Sequence, residues 1–167
     1  MAYNTIKLTK YSDVITEEVA NAAITPGMLL ELMSTDKVRA HATAGGNAMP
    51  RMFALENELE GEGINDAFAA DEKVQVWIPY RGDIVYAILA DGENVAIGDP
   101  LESNGAGYLA KHVSDVESFE SAEPGSITVL PEQVVGIALE AVDISDSSGA
   151  ESSGDLGYNK RIKVRII

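Results

Sequence analysis

The chain has 167 residues, with 27 acidic side chains against 12 basic ones and a net charge of −15 at pH 7. That length suits one domain with a sizeable core, and the absence of cysteine removes disulfides, thiolate nucleophiles and Cys-ligated metal centres. The charge repels phosphate backbones and anionic lipid, so neither nucleic acid nor a membrane surface is expected as a partner, and no apolar run reaches the ~20 residues that span a bilayer.

The first residues, MAYNTIKLTKYSD, lack the apolar run and small-residue cleavage site of a secretory signal, so synthesis in the cytoplasm is expected. Within residues 1–20, Ile6 and Leu8 alternate with Lys7 and Thr9 at strand period. A terminal segment needs something to dock on. It is either an edge strand of the same domain or an extended arm that pairs with a neighbour's sheet. We take residues 1–20 as an arm and residues 21–167 as one β-rich domain.

Pro26-Gly27 has the spacing of a type II turn. Strands are expected over 28–33, 38–43 and 51–57. The run 56–72 is strongly acidic, with one helical turn at most (65–70) for Asn65 or Asp66 to cap. Carboxylates at Glu56, Glu58, Glu60 and Glu62 do not match a helix-loop-helix calcium loop, and a solvated loop is expected.

In residues 74–79, Val74, Val76 and Ile78 alternate with Gln75 and Trp77, the pattern of a half-buried strand. A turn at Tyr80–Arg81–Gly82–Asp83 leads into 84–90, apolar enough for burial on both faces. The Arg81–Asp83 tripeptide matches a cell-adhesion motif, but a turn whose arginine meets a nearby acid is the expectation. From Asp91 to His112, glycine-bearing turns recur between short apolar runs, as in a sandwich or barrel. Residues 127–145 supply one or two strands around Pro131 and Gly136, β-branching favouring strand over helix. The stretch DSSGAESSGDLGYN has loop composition. The final KRIKVRII alternates as a last strand and holds four of the twelve basic residues.

Reactive groupings are sparse. His41 and His112 lie far apart, without metal-ligand spacing, and are expected to be packed or surface residues. Gly125-Ser126 lacks the G-x-S-x-G frame of a nucleophile elbow. No Gly-Lys-Ser/Thr phosphate loop occurs. Trp77, inside a strand, is expected in the core rather than on a sugar platform. No enzyme, metal or cofactor is expected.

The blocks ITPGMLLEL…VRAHATAGG…RMFALENELEGEGINDAF, VQVWIPYRGDIVYAILADGENVAIGDPLESNGAGYLAKH and VVGIALEAVDISDSSGA…KRIKVRII resemble head decoration (cement) proteins of tailed bacteriophages, over nearly the whole chain but without a single diagnostic motif. The resemblance implies a small mainly β domain, β-barrel or β-tulip-like, with an extended N-terminal arm and little helix. It implies no catalytic site. It implies a virion protein on the outer capsid surface, bound to the major capsid protein and to itself as a homotrimer at threefold and quasi-threefold positions. Position and period, rather than the resemblance, single out Tyr3, Asn4, Thr5, Ile6, Lys7 and Leu8 as the contacting arm. Another virion or tail structural protein, or a β-barrel binding carbohydrate or peptide, would share this composition.

Overall fold

The computed structural model describes residues 3–11, 13–113, 133–147 and 160–167. The expected polar loop after His112, most of the first strand in 127–145 and the stretch around Ser152 lie outside them. Thirteen strands carry the described fold: β1 (Lys7–Thr9), β2 (Ile15–Ala20), β3 (Leu29–Leu32), β4 (Lys37–Ala40), β5 (Met52–Ala54), β6 (Lys73–Trp77), β7 (Ile84–Ile88), β8 (Asn94–Val95), β9 (Pro100–Ser103), β10 (Leu109–Lys111), β11 (Gly136–Ala138), β12 (Val142–Asp143) and β13 (Arg161–Ile166). The mainly β, barrel-containing class expected from turn spacing is the class observed.

Five strands close into a barrel in the order β2-β4-β3-β5-β6. All its pairings are antiparallel except β2 with β4, joined through Val19↔Lys37 and Ala20↔Val38. A six-stranded sheet runs β1-β7-β13-β11-β9-β10, and β12 pairs with β8 in a small ribbon. A bridge between Leu89 and Leu109 brings the β10 end of that sheet back to the end of β7.

Side-chain alternation explains how the two parts share material. Successive residues of a strand face opposite ways. Leu30, Met52, Ala54, Val74 and Val76 point into the barrel core, where Ala20, Val38 and Phe68 meet them. Their neighbours Leu29, Phe53, Leu55 and Trp77 point out of the barrel and into a second core, with Val85, Leu101, Ile162, Val164 and Ile166 from the six-stranded sheet. The barrel wall β3-β5-β6 is thus the floor of the second core. Trp77 is 0% exposed, so β6 is covered on both faces near its end rather than half-buried as its alternation suggests. Burying such a side chain is worth about 1.5–3 kcal/mol.

Local chemistry sets the connections. Thr25–Met28 is the expected turn: the Met28 N–H donates to the Thr25 carbonyl at 3.1 Å, and Gly27 sits at φ 91°, the third-position conformation of a type II turn. Gly107 fills a tighter place. Its carbonyl accepts from Leu29 N–H at 2.8 Å, its N–H donates to the His41 carbonyl at 3.1 Å, and a Cβ there would lie 2.8 Å from that of Ala40.

Two expectations need correction. Residues 65–70 form no helical turn. Phe68 exchanges backbone hydrogen bonds with Ile24, at 2.9 and 3.1 Å, which holds the segment extended, and Asp66 instead accepts the Gly63 N–H. Nor does residue 20 mark a boundary between arm and domain. β2 is a barrel stave paired with β6 from Ile15↔Trp77 to Val19↔Lys73, and β1 pairs with β7. Strand period identifies a strand and leaves its partner open; here the described partners lie in the same chain.

Candidate functional site

The residues singled out in the arm mostly hold that segment to its own domain. Ile6 is 0% exposed within the second core. Its N–H donates to Glu56 at 3.1 Å, and its carbonyl accepts from Tyr86 N–H at 2.9 Å. Tyr3 stands edge-on to Tyr86 with ring centroids 5.3 Å apart, and the Lys163 ammonium lies 5.6 Å from the Tyr3 ring centre. Leu8 packs against the same core, Lys7 reaches Asp13 at 3.7 Å, Thr5 is half-buried, and Asn4 is exposed.

The segment surfaces further on. Tyr11 is 86% exposed and Tyr80 56%, with ring centroids 6.2 Å apart. Exposed Val14 and Ile15 follow on the chain, and the Val14 carbonyl accepts from Ile78 N–H at 2.9 Å. The corner is built on the Asp83 carboxylate, 1% exposed, which accepts the N–H of Tyr11 at 2.5 Å and of Tyr80 at 2.6 Å. The Arg81–Asp83 tripeptide is therefore a turn as expected, but its acid does the bonding: among the described residues Arg81 has no ion-pair partner.

The distribution of ion pairs marks the same corner. Lys7, Lys10, Lys37, Arg39, Lys73, Lys111, Lys160 and Lys163 each have a carboxylate partner. Buried Arg161 donates to the Pro26 carbonyl and the Asn65 side chain, both at 3.0 Å, and to the Ile64 carbonyl. The other three basic side chains, Arg51, Arg81 and Arg165, have no carboxylate partner among the described residues. All three belong to the Tyr80 end of the molecule. Arg165 faces Ile84 across the sheet, and Ile166 accepts from Gly82 N–H at 2.8 Å. Burial, and after it the nearby charge of Arg81, hold the Arg51 guanidinium below its ordinary value.

Both histidines make contacts within their own domain. His41, 1% exposed, contacts the Ser103 hydroxyl through Nδ1 at 2.7 Å and the Asn47 carbonyl through Nε2 at 3.1 Å. A carbonyl only accepts, so Nε2 carries a proton. Ser103 also accepts the Gly105 N–H at 3.1 Å, and this buried hydroxyl bridges β9 to the end of β4. His112 Nδ1 meets Glu102 at 2.6 Å. Among the described residues no group of three His, Asp or Glu is placed to hold a metal ion. Trp77 lies in the core and offers no stacking platform. Gly125-Ser126 falls outside the described residues.

Sequence reasoning missed Asp83 and Glu56 as anchors. Glu56 belongs to the acidic run but turns inward and is buried, while Glu58, Glu60 and Glu62 face solvent as expected. Nothing in the spacing of a carboxylate and a backbone N–H 50 residues away, as for Glu56 and Ile6, or 72 away, as for Asp83 and Tyr11, signals such a bond. No family model matches the chain, and no curated protein matches it.

Proposed function

We propose that this chain is a structural virion protein that binds the outer surface of an icosahedral phage capsid. There it cements neighbouring major capsid subunits against the pressure of packaged DNA, acting as a homotrimer at threefold and quasi-threefold positions. One observation carries the reading beyond the sequence resemblance: the N-terminal segment is stitched into both sheets, as edge strand β1 and as barrel stave β2. A frame with its terminal segment bonded across two sheets, and an exposed aromatic step where that segment crosses between them, suits a clamp. Adhesion in a clamp comes from a preorganised surface whose ordering cost is already met. Attachment through several copies at once multiplies modest contacts into high avidity.

The test is co-sedimentation of the purified chain with expanded heads that lack it. Saturable binding, with heads that then survive heating or chelation better than bare ones, is expected. Absence of binding to matched heads overturns the reading. Deleting residues 1–12 is a poor first variant, because it removes Ile6 from the core and costs folding stability as well as any contact.

A further inference from the structure

We propose that the corner carrying Tyr11, Tyr80, Arg51, Arg81 and Arg165 is the face by which this chain docks on an acidic patch of a protein surface, which, resting on the capsid reading above, belongs to the major capsid protein. Three independent observations meet there. The first is apolar exposure: Tyr11, Tyr80, Val14 and Ile15 all stand in solvent around one turn. The second is charge. In a chain of net charge −15, the three arginines without a carboxylate partner among the described residues lie at this end, whereas eight other basic side chains are matched to acids. The third is rigidity: one buried carboxylate fixes the backbone at both tyrosines.

Tyrosine and arginine are the residues over-represented at protein interfaces and their hot spots. Arginine adds a planar fork that grips carboxylates bidentately. The net charge also sets orientation. An acidic surface repels most of this molecule and attracts this corner, so approach is steered one way round. The same net charge disfavours a polyphosphate chain as the occupant, and self-association through this corner is an outcome that the test separates.

The experiment compares head binding by the wild-type chain, Arg81→Glu, the double variant Tyr11→Ala/Tyr80→Ala, and Lys73→Glu, an exposed control with the same change of charge elsewhere. Arg81→Glu and the tyrosine pair are expected to weaken binding about tenfold or more, Lys73→Glu to stay within about twofold, and wild-type binding to fall with added salt. Arg81 is exposed and has no hydrogen-bond or ion-pair partner among the described residues, so that variant is expected to fold even if the tyrosine pair proves unstable. Wild-type binding with Arg81→Glu indistinguishable from Lys73→Glu overturns the docking face and leaves the capsid reading standing. Failure of the wild type to bind sinks both. Sedimentation of the free chains supplies the last arm: loss of self-association in Arg81→Glu assigns the corner to a contact between copies and overturns the proposal.

Discussion

The carboxylate of Asp83 and the backbone N–H of Tyr11, 72 positions apart in sequence, meet at 2.5 Å, and the same carboxylate takes the Tyr80 N–H at 2.6 Å. A single buried side chain thus ties the start of the chain to the β6–β7 turn. Asp83→Ala leaves two N–H groups without their acceptor. Each such loss costs about 1–3 kcal/mol when buried, and Tyr11 is partly open to water, so a combined loss of about 2–3 kcal/mol is expected in urea unfolding. Asp83→Asn keeps one acceptor oxygen and recovers part of it.

Trp77 fills the second core, and its indole N–H is buried with no hydrogen-bond partner among the described residues. Trp77→Ala is expected to cost about 3–5 kcal/mol through lost burial and a cavity. Trp77→Phe removes the unpartnered donor along with some volume, so its cost should be well under half of that. Unfolding followed by circular dichroism checks the ratio, since the only tryptophan is lost in both variants.

Gly107 and Gly92 share a left-handed backbone, at φ 80° and 79°, but differ in surroundings. Alanine at Gly92 meets open space, while at Gly107 its Cβ would lie 2.8 Å from Ala40 Cβ and 3.2 Å from the Leu29 carbonyl. Gly92→Ala is expected to cost about 1 kcal/mol for conformation alone. Gly107→Ala adds a steric cost and should lower the melting temperature by a clearly larger margin.

A hydrogen bond from Lys111, and then one from the Ala96 N–H, hold the Asp99 carboxyl below the usual carboxylate range. Its folded value is depressed, so the stability it adds is complete above the unfolded carboxylate value and is lost as pH falls through the lower folded one. Lys111→Met should raise the Asp99 titration toward its ordinary value while keeping the Ala96 contribution. Carbon-13 NMR of the Asp99 carboxyl group reads this directly; an unmoved titration would mean that the Lys111 contact at 2.7 Å does not persist in solution.

Much of the fold was legible because turns and alternation are local. The Pro26-Gly27 turn, the doubly buried β7 and the closing β13 all follow from their own residues. Pairing is not local. Ile6 reads equally as the side chain of a free arm or of an edge strand, and only the sheet that receives it decides. Trp77 was legible as core, but the covering of β6 on both faces depends on β13 and β9 arriving from much later in the chain. At the candidate corner, Tyr80 and Arg81 are visible as a turn in the sequence. Their company with Tyr11 and Arg165 is not, because it is assembled through Asp83 and the β7–β13 register.

The closure of the barrel and the return of β10 to β7 at Leu89–Leu109 have a consequence for crowding. Unpaired strand edges are templates on which other chains add and aggregate. Five strands here have no outer edge at all, and the strands at the two margins of the larger sheet, β1 and β10, are each three residues long, with β1 irregular in register and marked by Lys7. Among the described residues, many copies held side by side at high local concentration would find little backbone on which to nucleate a fibril.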